Sequence, residues 1–376
     1  MIGIPLSIYC DQVNGIPIGD IASDADSIQW SISDQFGFES MDVVMRGTIE
    51  DVLFWFSALR SSAVVYGPDA DTCWEGFLNA VDATIGQETH SRSLDTLANT
   101  MRVRYTTVLG SPAVTADQTD ADSITAYGTK HGVERIGETT STAAIAMCTR
   151  ILNNRRWPGK QPSTSVSTGD VGAIEITLHF VGWYGALDWL LTASSTTTNA
   201  VTTTQVTNLL TAYNAINSFF STDTTFVLAS ALNDTQYIPD DTTYRSAIER
   251  LLSQGDSSGT RYAWGVYEDK VFWAQLWNSV YTRGYRRTLS GGIEATLNGT
   301  SVAGYGTVNL WNLRPNAIVE IEDLLDIQPQ STEIDAAAKY YVARVTFRAD
   351  SSGMSATLEP TDITDITAQL ARLNRN

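Results

Sequence analysis

The chain has 376 residues, with 42 acidic against 24 basic side chains for a net charge of −18, and 43% of its residues are hydrophobic. That composition excludes wholesale disorder and leaves room for roughly two or three domains with sizeable cores. Residues 1–100 carry 15 acids and 3 bases, net −12, so neither specific nucleic-acid binding nor membrane insertion is expected of a chain that begins on such an acidic module.

Residues 1–110 read as all-β. Ile8–Ile18 is a hairpin with Asn14-Gly15 at its turn, and Trp30–Ser33 and Met41–Gly47 are further short strands. Thr48–Leu59 is a short helix whose first turn takes Glu50 and Asp51. Strands follow at Ala63–Tyr66 and Cys73–Val81, and the module is expected to close on Thr100–Val108, with Met101, Val103 and Tyr105 inward and Arg102 and Arg104 outward.

The polar stretch Gly110–Asp122 reads as a linker. Thr139–Leu152 has helical spacing with Ile145, Cys148 and Leu152 on one face, ending in the basic tip Arg150, Arg155, Arg156. Ala173–Val181 is a strand, broken at Gly182–Gly185 and expected to resume over Ala186–Leu191. Beyond the Thr-rich patch Thr192–Thr204, a helix carries Val206, Leu209, Leu210, Tyr213, Ile216 and Phe220 at helical spacing. A second helix begins near Asp241 and stops at Gly255, before the hairpin Tyr262–Tyr267 and Val271–Leu276. The last part returns to β at Ala317–Glu322, Tyr340–Arg348 and Met354–Glu359, with a short C-terminal helix capped by Asp362 and Asp365.

These elements define a mainly β chain with an α+β insertion. The expected domains are an N-terminal β-barrel module over 1–110, a linker, helix and strand segment over 111–200, an α+β domain over 201–290, and a C-terminal β module with its terminal helix over 291–376. Met101-Arg-Val-Arg-Tyr105 and Ala343-Arg-Val-Thr-Phe347 share an apolar row and outward arginines, which reads as a duplicated barrel module.

No active site emerges, and no enzyme is expected. Gly255-Asp-Ser257-Ser-Gly259 fits G-x-S-x-G, but it follows a helix and precedes a strand, the reverse of a nucleophile elbow, so a helix C-cap loop is the better reading. Asp24-Ala-Asp26 and Asp69-Ala-Asp71 lack the further ligands of a calcium loop and read as turn aspartates. His90, His131 and His179 sit in no ligand or base motif, with His179 an ordinary strand residue; Cys10, Cys73 and Cys148 read as buried thiols of a reducing compartment. No cofactor or metal is expected. No signal peptide or apolar run of transmembrane length is present in the sequence as given.

Only four of the 24 basic residues are lysine, and arginine is the cation preferred at interfaces. Arg150, Arg155, Arg156, Arg283, Arg286 and Arg287 are therefore interface candidates for pairing with an acidic neighbour. Trp264 and Trp273 belong with them, as core or subunit-interface aromatics in an alternating hairpin, with sugar stacking as the alternative.

The order of certain blocks resembles a known family. They are Trp74-Glu-Gly-Phe77 with Ser91–Tyr105; Asp122–Gly128 with the helix ending in Trp157-Pro158; Ile174–Trp183; Trp264–Asp269; and Arg314–Asp323 before the final hairpin. In this order they resemble the tail-hub, or baseplate-hub, proteins of long-tailed bacteriophages and their relatives at the base of contractile secretion spikes. The resemblance implies two similar β-barrels with an inserted α+β part, and a homotrimer of pseudo-six-fold outline that joins the tail tube to the tip and lines the DNA path. Its implied partners are the tail tube or distal tail ring, the tip or spike protein and the tape measure; its implied place is the virion tail tip, after synthesis in the host cytoplasm. Some members of the family carry peptidoglycan-cleaving domains, an activity not expected of a chain with only a short helix after its last barrel. A hexameric distal tail ring protein and a carbohydrate-binding tail-tip component are the alternatives.

Overall fold

The structure, a computed structural model, describes residues 6–361 apart from 12–16, 68–71, 87, 162–173, 193–195, 229–231, 261, 277–280, 288–292, 298–299, 303–316, 323–337 and 352. The Asn14-Gly15 turn, the Asp69 and Asp71 pair and the expected C-terminal helix lie outside the described residues. In chain order the first elements are β1 (Ser7–Asp11), β2 (Pro17–Asp20), β3 (Ala25–Ser33), β4 (Gly37–Gly47), α1 (Ile49–Ser57), β5 (Ser62–Tyr66), β6 (Thr72–Ile85) and β7 (Glu88–Ser93). Next come β8 (Thr100–Thr107), β9 (Pro112–Val114), β10 (Gln118–Thr119), α2 (Ala121–Tyr127), β11 (His131–Thr139), α3 (Ser141–Arg155) and β12 (Gly159–Gln161). After β13 (Ile174–Gly182) the chain runs through β14 (Thr196–Val201), α4 (Thr202–Asn214), β15 (Asn233–Ile238), α5 (Tyr244–Leu252), β16 (Tyr262–Val266) and β17 (Phe272–Leu276). It finishes with β18 (Tyr281–Arg287), β19 (Ile293–Leu297), β20 (Thr300–Val302), β21 (Ala317–Glu322), β22 (Ala338–Asp350) and β23 (Gly353–Thr361).

The fold is mainly β, with a few helices. β1 and β2 form the expected opening hairpin, and β1 also pairs with β5, which leads through β6 to β13. β13 is the centre of this sheet because its alternation is complete: Ile174, Ile176, Leu178 and Phe180 are buried while Glu175, Thr177 and His179 face the other way. It pairs antiparallel with β6 on one side and β4 on the other, β4 pairs with β3, and β3 pairs with β22. A strand near the end of the sequence thus completes a sheet begun near its start. Val345, Phe347 and Ala349 of β22 are fully buried there, and the Phe347 ring stacks on Trp30 at 5.1 Å between centroids.

Thr48 begins α1 with a reciprocal capping box: its hydroxyl accepts the Asp51 N–H while Asp51 accepts the Thr48 N–H. β16 crosses the start of β4 closely, since Val266 packs on Gly37, which has φ +73 and no space for a Cβ. A Cβ on Gly182 would likewise collide with the Phe38 carbonyl, so the end of β13 lies directly on β4.

Several expectations change, among them the helix expected to carry Ile216 and Phe220, which ends at Asn214 and leaves Ile216 exposed. Thr100–Thr107 does not join the strands of residues 1–93; it pairs with β9 and β10 on one side and, in parallel, with β11 on the other. The reason lies in the expected linker. Gly110, at φ +82, reverses the chain, and Pro112–Thr119 returns along β8, tied by Thr115 through its N–H and Oγ1 to the Val103 carbonyl and N–H, both at 3.0 Å. Both hydrogen-bonding edges of β8 are then occupied, and α3 covers the face bearing Met101 and Val103 with Cys148 and Leu152. Ile145 of α3 is exposed rather than inward; Ala144 takes its place in the buried row with Cys148 and Leu152. Finally, Trp183–Asp188 coils into a 3-10 helix instead of resuming a strand, because Trp183, Tyr184, Ala186 and Leu187 are all buried, a pattern no half-exposed strand satisfies.

The helical insertion is anchored by polar contacts to backbone. Tyr213 donates its hydroxyl to the Ala186 carbonyl at 2.7 Å, and the Asn217 side chain brackets Thr129, accepting its N–H at 2.9 Å and donating to its carbonyl at 2.8 Å. Replacing Phe347 by alanine is expected to destabilise the chain by about 3–5 kcal/mol through the cavity left against Trp30, measured as a lowered urea midpoint.

Candidate functional site

Three polar clusters stand out, and the most buried lies where the main sheet meets the insertion. Arg60, just after α1, has φ +79 and donates its backbone N–H to the Leu78 carbonyl at 2.8 Å. Its guanidinium lies over four aromatic rings, at 4.3 Å from the Phe219 centroid, 4.5 Å from Trp183, 4.9 Å from Phe77 and 5.6 Å from Trp189. Burial lowers its pKa to about 10, so it remains a cation at neutral pH. Lys270 brings a second cation over Trp183, 4.4 Å from the ring, and burial lowers its pKa too. Glu75 lies beside Lys270; desolvation raises its carboxyl, an effect opposed by Lys270 and by the backbone N–H groups of Lys270 and Asp269. The cluster joins β6, the 3-10 helix, Phe219 beyond α4 and the β16–β17 turn. It acts as a cationic rivet in an aromatic socket.

The second cluster lies on the more open face of the main sheet. His179 on β13 places Nδ1 2.7 Å from Asp42 Oδ1 of β4 and Nε2 3.2 Å from Asp82 Oδ2 of β6. The hydrogen bond to Asp42, together with the charges of both aspartates, raises the imidazole pKa above its ordinary value despite partial burial. As imidazolium, His179 donates to both carboxylates and links three adjacent strands.

The third cluster is ionic and holds distant segments. Arg344 on β22 makes a bidentate pair with Glu39 of β4, with Nε 2.8 Å from Oε2, and Ser31 Oγ also donates to that oxygen at 3.2 Å. Arg102 and Arg104, expected to face solvent, meet the aspartates just before α5: Arg104 binds Asp240 and Asp241, and Arg102 Nε lies 3.2 Å from Asp241. These contacts went unforeseen. Outward arginines at alternate strand positions and the adjacent Asp240-Asp241 pair were their only sequence signal.

The expected interface residues have varied placements. Arg155 pairs with Glu134 at 2.7 Å and Arg156 with Asp120 at 2.9 Å, so both serve contacts within the chain. Arg150 is exposed and donates to Met147 Sδ at 2.9 Å. Arg283, Arg286 and Arg287 lie on β18, whose side chains are outside those described. Trp264, 4% exposed, is core: its Nε1 donates to Tyr184 Oη at 3.1 Å, so its ring offers no platform to a sugar. Trp273 is partly buried, stacked on Phe226 at 4.7 Å. Ser257 lies in an Asp256-centred turn, in which Asp256 accepts the N–H groups of Ser258 at 2.9 Å and Thr260 at 2.7 Å. The three histidines contact Glu88, the Leu191 N–H, and Asp42 with Asp82. Among the described residues no group of three His, Cys, Asp or Glu is arranged to hold a metal ion, and no helix is long and apolar enough to cross a membrane.

The chain matches no protein-family model and no curated protein. Among solved structures it is similar to a tail protein from Neisseria meningitidis MC58, at 9% identity and a TM-score of 0.41 over 96% of this chain and 98% of that one. It is also similar to the 43 kDa tail protein of prophage MuSo2 from Shewanella oneidensis, at 10% identity and a TM-score of 0.45 over 95% and 98%. A prophage tail protein from Listeria monocytogenes EGD-e gives 11% identity and a TM-score of 0.40 over 98% of both chains.

Two outcomes test these assignments. Trp264→Ala is expected to destabilise by about 3–5 kcal/mol in denaturant titrations, as loss of a core aromatic does. His179→Gln is expected to lower the melting temperature most below about pH 6.5, where the wild-type imidazole is charged in both folded and unfolded chains. Because its folded pKa is raised, that advantage is lost as pH rises through the folded value, and melting curves of the two proteins should converge at alkaline pH.

Proposed function

We propose that this chain is a structural tail protein of a long-tailed bacteriophage, a homotrimeric hub that joins the tail tube to the tip and surrounds the DNA path. The observation that carries this reading is the ordered set of sequence blocks described above, from Trp74-Glu-Gly-Phe77 to Arg314–Asp323, on a mainly β fold. On that fold the block around Ile174–Trp183 forms the central strand of the main sheet and the 3-10 helix against it, and the block at Trp264–Asp269 forms the hairpin packed on β4. A role in architecture also suits a surface whose arginine–aspartate pairs tie segments of the chain together, with the histidines engaged away from Ser257.

In this reading the two similar barrels that the resemblance implies in each of three chains would present six related surfaces to a six-fold tube and one three-fold axis to the tip, although Met101–Tyr105 and Ala343–Phe347 lie in different sheets. The acidic N-terminal segment, with Asp24, Asp26, Glu50, Asp51 and Asp95 exposed, lines the lumen and repels the phosphate backbone, so that DNA passes without sticking. The neighbours are the tube or distal ring, the tip or spike, and the tape measure.

The test is mass photometry of the purified chain, followed by imaging of intact tails. Three copies in a closed ring at the tail tip are expected, with residues 1–100 facing the channel. Six copies around the axis would favour the distal-ring alternative. A monodisperse monomer that is absent from purified tails would overturn the proposal.

A further inference from the structure

The Arg60 cluster holds more hydrogen-bond donors than the chain supplies acceptors for. The guanidinium is 6% exposed, and its Nε meets no acceptor among the described residues. The indole Nε1 of Trp183, whose ring the guanidinium covers, meets none either. Ring faces offset the charge of a stacked guanidinium, but its N–H groups lie in its own plane, and a face above or below leaves them unmet. A buried donor in that state carries the full penalty of a lost hydrogen bond.

Charge is out of balance at the same place. Arg60 and Lys270 both lie against the Trp183 ring. Burial lowers the Lys270 pKa and the Arg60 charge lowers it further, against the pull of Glu75 and Asp11. Glu75 is itself engaged by the backbone N–H groups of Lys270 and Asp269, while burial raises its carboxyl. Two cations therefore share a site with one desolvated carboxylate. The backbone is strained there as well. Among the described non-glycine residues with positive φ, Arg60 at +79, Asp269 at +57 and Lys270 at +58 belong to this cluster, and only Asp241 lies elsewhere. Strain of this kind gathers at ligand sites, where the surroundings hold it in place.

An anion answers both the unmet donors and the excess charge. With Arg60 and Glu75 buried and aromatic rings as walls, the ion must be small and must shed its water at low cost. That favours a monovalent halide over a strongly hydrated phosphate. We propose that this cluster binds chloride, seated beside Arg60 Nε with the Lys270 ammonium and the Trp183 N–H at its margin. The ion ties the 3-10 helix to the β16–β17 turn and so braces the helical insertion on the main sheet. The site does not depend on the proposed ring, and a monomer holds it as well as a trimer.

Melting of the full chain in sodium chloride against sodium gluconate at equal ionic strength tests it. The wild-type melting temperature should rise with chloride and then level off, as when a ligand binds the folded state alone. Lys270→Met, which keeps an apolar side chain on Trp183 but removes the charge, should need about tenfold more chloride for the same rise. Glu75→Gln, which removes the opposing charge, should need less. Each variant is compared with its own melting temperature in gluconate, so a change in basal stability does not mask the result. Wild-type crystals grown in bromide should show anomalous scattering beside Arg60. A melting temperature indifferent to the anion would overturn the proposal, as would a chloride response identical in the wild type and both variants, or bromide found only away from Arg60.

Discussion

The docking of β22 along β3 is the contact on which the rest of the architecture depends. Phe347 stacks on Trp30 inside the sheet, and Arg344 clamps Glu39 beside it. The two ionic partners are 305 residues apart, so the main sheet lacks a strand until a late part of the chain arrives. Such long-range closure is entropically expensive and slow to form, and its return comes from burying Val345, Phe347 and Ala349 together with one bidentate ion pair. The second sheet around β8 and the helical insertion, both lying between these strands in the sequence, are held as excursions from this sheet.

The excursions are fastened by polar groups as well as by oil. Arg60 places a permanent cation among four rings at the root of the helical insertion, where it orients Phe219 and the 3-10 helix and needs no carboxylate close by in the way a lysine salt bridge would. Arg102 and Arg104 hold the start of α5 against the second sheet through Asp240 and Asp241. Of the arginines that read as intermolecular, Arg155 and Arg156 pair with Glu134 and Asp120 within the chain. Exposed apolar side chains among the described residues include Leu53 on α1 and Leu109 at the β8–β9 tip.

Local signals in the chain are mostly reliable. The opening hairpin, the capping box at Thr48 and Asp51, the alternation of Ile174–Phe180 and the helix begun by Thr140 all express preferences settled within a few residues. The failures share one cause. Gly110–Asp122 is polar enough for a linker, yet it pairs along β8 because backbone hydrogen bonds are indifferent to side-chain polarity. Trp264, read as a core or subunit-interface aromatic, is core, and the sugar-stacking alternative falls away because β16 is covered on both faces. The candidate polar clusters were less legible still, because Asp42, His179 and Asp82 come from three strands whose register no local pattern states.

By itself the sequence determined that this chain is mainly β, where most strands and helices start and stop, and how unevenly its charge is distributed, since hydrophobic period, caps and composition are properties of neighbouring residues. Only the tertiary structure decided which strand sits beside which, that β8 serves a second sheet, that Arg60 is caged, and that Leu53 and Leu109 are left in water. Those outcomes turn on contacts between residues tens to hundreds of positions apart, where burial and pairing compete across the whole molecule and no single segment encodes the winner.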